Sequence, residues 1–310
     1  RFEILPQAIK RILPALGNQL VYMLKMSSLV SVIGMQELTR RANELVVTEY
    51  RPLEIYTILV IEYLVLILFV SAAVRALENG EVDLAVHSMK DVPTQLPQGL
   101  VQAAVLERES PLDLLVFKTN EIDFSKPLTI ATSSLRRKAQ WLCKYPHHQI
   151  EVLRGNVNTR LQKLKTSNWD GAIFAKAGLE RLNMVPKNSI DLFWMTPAPA
   201  QGALMVVAKS ENPELCKLLS KINHPNTAKC VQIERNFLRT LQGGCSAPIG
   251  ALAQMKNKEI HFAGNISHPN GNDAVVIDKT ANIKSKNLGE LYANEILSQG
   301  GKRILEQINR

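Results

Sequence analysis

The rhythm of apolar and polar positions changes as the chain is read from its start. Residues 55–74 read IYTILVIEYLVLILFVSAAV, apolar on nearly every face and broken by one charge, Glu62. A helix of that length rises roughly 30 Å, which predicts a membrane span flanked by Arg51 and Arg75; a buried core helix is the competing reading, because Glu62 interrupts the run. A weaker apolar stretch over 12–34, interrupted by Asn18, Gln19 and Lys25, predicts an amphipathic or partly buried helix. Farther on the period changes. Residues 82–86 alternate as a strand and break into Ser88-Met89-Lys90-Asp91 before Pro93, a polar loop. Residues 127–132 predict a second strand, with Ser133-Ser134 capping a helix over 135–142. A third strand over 150–154 leads through Gly155-Asn156 into a helix over 157–162, and 171–175 and 204–208 predict further strands. Strands alternating with helices predict an α/β architecture with much parallel sheet.

Composition sharpens the break between the two rhythms. Residues 1–77 hold eight basic and six acidic side chains and no Asp, His or Cys; the first Asp is Asp83. All four cysteines (Cys143, Cys216, Cys230 and Cys245) lie beyond it, without a CxxC pair or a Cys/His cluster, which argues against a structural metal or a disulfide framework and implies a reducing cytosol. At 310 residues the length predicts two or three domains. The net charge of +9 comes from scattered single and paired arginines rather than basic runs interleaved with aromatics. That pattern suits small anions and argues against nucleic acid.

The polar motifs share one place in the predicted architecture. Asp91, Arg136, Arg137 and Arg154 all follow strand ends, the edge where open α/β sheets bind ligands, and Arg160 lies a helical turn beyond Arg154. Helix N-termini add free N–H donors there, and guanidinium forks bind carboxylates in pairs. One such arginine alone reads as a surface ion pair; several together read as a site for a polycarboxylate. A lone Asp before Val-Pro reads as a turn residue, whereas Asp91 beside Lys90 and the arginines can shuttle a proton. Cys143, Cys216 and Cys230 read as packing residues, and His147-His148 as an exposed loop. Cys245 differs, because Gly243-Gly244 and Pro248 hold it on a tight loop, where a thiol can carry a covalent group.

With AVHSMKDVP at 85–93, SSLRR at 133–137 and GGCSAPIG at 243–250, the chain from about residue 79 to its end resembles porphobilinogen deaminase. The resemblance implies two periplasmic-binding-protein-like α/β domains and a small α+β C-terminal domain. Here that gives a first-domain remnant at 78–108 and 199–222, a second domain at 109–198 and a third at 229–310. It implies a dipyrromethane cofactor held by a thioether to Cys245, head-to-tail condensation of four porphobilinogen molecules with release of ammonia, and Asp91 as the catalytic carboxylate with Lys90. Ser88, Ser133, Arg136, Arg137, Arg154 and Arg160 would hold cofactor and substrate carboxylates. A cytoplasmic monomer is implied.

Residues 1–77 instead resemble the end of a polar amino-acid ABC transporter permease, on EILPQA at 3–8, LPALGN at 13–18 and ELTRRA at 37–42. This implies an all-α membrane-type segment, association with the inner membrane through 55–74, and a first deaminase domain lacking its opening part. The strand at 82–86 is then expected to lack its native partner and turnover to be weak. The alternative function is a permease fragment fused to a non-catalytic pyrrole-binding domain.

Overall fold

The computed structural model describes residues 83–119, 121–241 and 248–308. The chain divides into residues 1–83 and 84–310, and all described residues but Asp83 fall in the second unit. The helical segment predicted over 1–77, with its membrane span at 55–74, lies outside the described residues. Among the described residues no helix is long and apolar enough to cross a membrane.

Among the described residues, three sheets build the second unit. The first has strand order β1-β8-β2 and contains β1 (Leu84–Ser88), β2 (Leu100–Val105) and β8 (Leu204–Lys209), all antiparallel. The strand expected to be unpartnered thus has one, since Leu84 to Ser88 pair with Ala208 to Leu204. Its partner lies more than a hundred residues along the chain, which local pattern cannot reveal.

The second sheet runs β5-β4-β6-β3-β7, from β3 (Asp113–Phe117), β4 (Thr129–Ala131), β5 (Gln149–Glu151), β6 (Gly171–Ala175) and β7 (Ser189–Asp191). Strands β5, β4 and β6 run parallel to one another, and β3 is antiparallel to β6 and β7. The expectation of much parallel sheet therefore holds for these three strands and their two pairings alone among the described residues. Both faces of β3 are covered. Leu114 and Val116 pack towards Leu164 of α2 (Val157–Thr166), while Leu115 and Phe117 pack towards Trp141 of α1 (Leu135–Lys144). A strand buried on both faces reads as a continuous apolar run, as DLLVF does after its first residue.

Helix α3 (Lys176–Glu180) follows β6, and α4 (Pro213–Leu219) follows β8. Then α5 (Pro225–Thr240) runs between the first sheet and the third. Its Cys230, Ile233 and Phe237, at helical spacing, pack on the third sheet, while Val231 packs with Met89, Val105 and Met205. The third sheet is an antiparallel meander of β9 (Ile249–Lys256), β10 (Glu259–Ser267) and β11 (Ala274–Asn282), backed by α6 (Leu288–Ile296) and α7 (Lys302–Ile308).

Two packing expectations change. Cys143 is exposed rather than packed, whereas Cys230 is buried as expected. His148 is buried at 4% exposure, stacked on Tyr145, and its Nδ1 accepts from Trp141 Nε1 at 3.2 Å. A polar loop residue with an aromatic cluster beneath it is drawn inward once its ring nitrogens find partners.

Candidate active site

A cleft of about 470 Å³ opens where the three sheets meet. Its described lining includes Lys90, Asp91, Ser133, Arg136, Arg137 and Arg160, six of the residues singled out from sequence. Ser88 and Arg154 do not line it, and Arg154 is exposed. Cys245 lies outside the described residues, although Leu238 before it and Ile249 after it both line the cleft.

Each element delivers its residues for a local reason. Strand β1 ends at Ser88, and Met89–Asp91 form one turn of 3-10 helix whose core anchor, Met89, is fully buried. Arg235 of α5 fixes that turn, with Nη1 donating to Met89 O and Val92 O at 3.0 Å each and Nη2 to Pro93 O. Lys90 is left half-buried and Asp91 exposed at the cleft. After β4, Ser134 caps α1 by accepting from Arg137 N at 3.4 Å, which sets Arg136 and Arg137 in the first helical turn. Ser133 Oγ donates to Leu153 O at 2.5 Å. Asn156 caps α2 in the same way, accepting from Thr159 N at 2.8 Å, and Arg160 Nε donates to Gly155 O at 2.7 Å.

The residue that organises the cationic wall is Asp113, the fully buried first residue of β3. Arg136 Nη1 sits 2.7 Å from its Oδ2, and Arg137 Nη2 sits 2.8 Å from its Oδ1. Arg137 Nε also donates to Oδ1 at 3.0 Å, and Nη1 donates to Ile173 O at 3.0 Å, so Arg137 is turned inward. Gln201 Nε2 adds a bond to Oδ1 at 2.9 Å. Burial alone would raise the Asp113 pKa; the two guanidiniums outweigh it and hold it at about 2. Arg136 Nη1 also donates to Thr196 O at 2.7 Å, while its Nε is buried without a partner among the described residues. Sequence reading passed over Asp113; its one signal is an acid heading an otherwise apolar strand.

Positive charge at the cleft exceeds negative. Burial first, then the Arg137 charge, lowers the Lys90 pKa to about 8, although Asp91 and Asp113 pull it upward. Burial and Arg137 also press the Arg160 pKa downward. Asp91 is the only carboxylate on the described lining. Crowded cations, with the pKa values of Lys90, Arg136 and Arg160 each lowered by burial and by the neighbouring Arg137 charge and a buried N–H without a partner among the described residues, match a ligand bearing several carboxylates. Among the described residues no group of three or more His, Cys, Asp or Glu could hold a metal ion.

Comparison with known proteins bears on this cleft. A family model described as "Porphobilinogen deaminase, dipyromethane cofactor binding domain" matches residues 65–217. Another, "Porphobilinogen deaminase, C-terminal domain", matches 228–298. A porphobilinogen deaminase of Listeria innocua is 40% identical over 250 residues, covering 78% of this chain and 80% of that protein. One from Alkaliphilus metalliredigens is 39% identical over 249 residues, covering 78% of each. A substrate-binding domain of a putative amino acid ABC transporter from Streptococcus pneumoniae is similar at 18% identity and a TM-score of 0.33, over 49% of this chain and 69% of that one, too low to support any argument. The family match begins at residue 65, upstream of the boundary near 79 read from sequence, and takes in the second half of the 55–74 stretch. None of these matches supports the permease resemblance read over 1–77.

Proposed function

The chain belongs to the porphobilinogen deaminase family, and from that premise we propose how its cleft performs the family's reaction. The activity is hydroxymethylbilane synthesis, a transferase reaction of tetrapyrrole formation that joins four porphobilinogen molecules with loss of ammonia. Its cofactor is dipyrromethane. The convergence of Lys90, Asp91, Arg136 and Arg160 on one cleft carries this reading, its positive charge offset among the described residues by Asp91 and the buried Asp113.

The residues fit such a cofactor. Arg136 has a buried N–H unpaired, Lys90 and Arg160 are cations that burial disfavours, and the chain on both sides of Cys245 borders the cleft. We assign Cys245 as the attachment point, with Arg136, Arg160 and Lys90 holding carboxylates and Ser133 and Arg137 fixing the wall behind them. When bound, dipyrromethane supplies the primer to which substrate units are added. Asp91, the one carboxylate on the described lining, then stands beside the positive charge that develops as ammonia leaves and takes the proton of the coupled pyrrole. Ser88 and Arg154 are assigned outer roles, the first ending β1 before the catalytic turn and the second available from the exposed segment before α2. The first two sheets are read as periplasmic-binding-protein-like domains, the first partial, and the third as the α+β domain.

Asp91→Ala is expected to abolish turnover while leaving the thermal transition and any bound cofactor in place. Intact mass should exceed the sequence mass by a dipyrromethane, and Cys245→Ser should remove the increment. Near-normal turnover by Asp91→Ala would overturn the role of Asp91. Pyrrole binding with no hydroxymethylbilane formed by the wild-type chain would favour a binding module over an enzyme.

A further inference from the structure

Gln201 lines the cleft at 1% exposure. Its Nε2 donates to Pro111 O at 2.7 Å and to Asp113 Oδ1 at 2.9 Å. Both partners are acceptors only, so the amide can face them only with its NH2 end, and its orientation is fixed by chemistry. Its other end, Oε1, is buried and accepts no hydrogen bond among the described residues. A buried carbonyl left unpaired costs free energy that a bound donor recovers.

The backbone holds that carbonyl in place. Gln201 is flanked by two left-handed residues, Ala200 at φ 61° and Gly202 at φ 85°, of which Ala200 tolerates the conformation poorly. A side chain at Gly202 would meet Ser110 O at 2.7 Å and Glu109 O at 2.8 Å. The turn is pinned by Ala200 N to Glu234 Oε2 at 2.6 Å, by Gln201 N to Ala198 O at 2.9 Å and by Arg108 Nε to Gln201 O at 2.9 Å. Strain retained at a cleft wall by so many bonds marks a position whose side chain has to point one way.

We propose that Gln201 is a specificity residue whose Oε1 accepts a hydrogen bond from a neutral N–H of the bound substrate, namely the pyrrole ring N–H. The wall around it decides between the two N–H donors that porphobilinogen offers. On the described lining Lys90, Arg136, Arg137 and Arg160 outnumber Asp91, and Arg136 and Arg137 already pair the Asp113 that Gln201 touches, so the net like charge opposes an ammonium there, whereas a neutral ring N–H meets no such penalty. This inference rests on the deaminase reading of the cleft and adds how the substrate's ring, rather than its carboxylates, is recognised.

The test is calorimetric binding, to the full chain, of two unreactive dicarboxylates shaped like the substrate. One is a pyrrole with methyl in place of aminomethyl, and the other is the corresponding furan, whose ring oxygen replaces N–H. Wild type is expected to prefer the pyrrole by about tenfold, the range for one buried hydrogen bond. Gln201→Met should reduce that preference to within twofold, chiefly by weakening pyrrole binding. Gln201→Asn, which withdraws the carbonyl by one methylene while staying polar, should do the same if the Met variant does not fold. Retention of the tenfold preference in the variants, or its absence in wild type, overturns the assignment of Gln201 while leaving the site reading intact. If wild type binds neither compound, the site reading fails and this inference falls with it.

Discussion

Lys90 is the residue whose acid–base behaviour the cleft alters in the working pH range. Its pKa of about 8, set by burial first and by Arg137 second, means that its charge is lost as pH rises through 8 rather than through the usual 10.5. If the ammonium holds a substrate carboxylate, KM for porphobilinogen should rise above pH 8 while kcat changes less. Lys90→Arg should remove that alkaline limb, and a limb that survives the substitution would assign it to another group. Asp113 titrates at the opposite end. Its folded pKa of about 2 lies below the ordinary 3.8, so its contribution is present above pH 4 and is lost as pH falls through about 2. Asp113→Asn would leave two buried guanidiniums short of their counter-charge, an expected cost of about 3–5 kcal/mol, and should flatten acid unfolding in that window. Denaturant titrations of both proteins between pH 2 and pH 7 measure this. An unchanged acid limb would show that Asp113 is not the group responsible. These two residues also show where sequence reading succeeds and fails. Lys90 belongs to a local motif and was readable; Asp113 acquires meaning only from arginines more than twenty positions away.

At the scale of elements, what local chemistry dictates was readable. Ser134 and Asn156 cap α1 and α2 where hydroxyl and amide side chains precede helical patterns, and β6 and β8 begin at the expected residues. Strand pairing was not readable, because the antiparallel register of β1 on β8 and of β3 on β6 depends on segments brought together from far along the chain. The same holds for Arg235, a helix residue with no motif about it, which clamps the turn of Lys90 and Asp91 through three carbonyls. A guanidinium can serve three acceptors in a fixed plane, whereas an ammonium on a flexible stem cannot. Arg235→Ala is therefore expected to lower kcat by roughly a hundredfold, the cost of displacing a reacting group by about 1 Å. KM should change far less, and Arg235→Lys should restore only part of the loss. Steady-state kinetics on the three proteins provide the check. A kcat within twofold of wild type for Arg235→Ala would show that the turn holds its shape unaided.

Among the described residues of the second unit, one side chain ties the first sheet to the third. Glu234 is fully buried on α5 and receives Arg108 through both guanidinium arms, at 2.6 and 3.1 Å. It also accepts from Ala200 N at 2.6 Å and Ala253 N at 2.7 Å. Arg108 follows β2, Ala200 opens the strained turn that carries Gln201, and Ala253 lies in β9 of the third sheet. A single carboxylate thus joins the first sheet, the cleft wall and the C-terminal sheet. A buried pair gains little over well-packed apolar groups, yet removal of one partner leaves the other's charge uncompensated. The two partners are unequal here. Without Arg108, Glu234 keeps two backbone donors; in Glu234→Gln, Arg108 keeps only neutral acceptors, Gln201 O and the amide oxygen, and the new NH2 must face a backbone N–H. Glu234→Gln should therefore cost more than Arg108→Met, about 3–5 kcal/mol, or roughly 10 °C in the thermal midpoint. The double variant should cost less than the two single losses combined, with a coupling of at least about 1 kcal/mol. Because the carboxylate spans three layers, each variant should still melt in a single transition followed by both far-ultraviolet and tryptophan signals. Strictly additive losses would refute the coupling. Two separate transitions in the Glu234→Gln protein would show that the layers fold independently and that Glu234 matters only to its own helix.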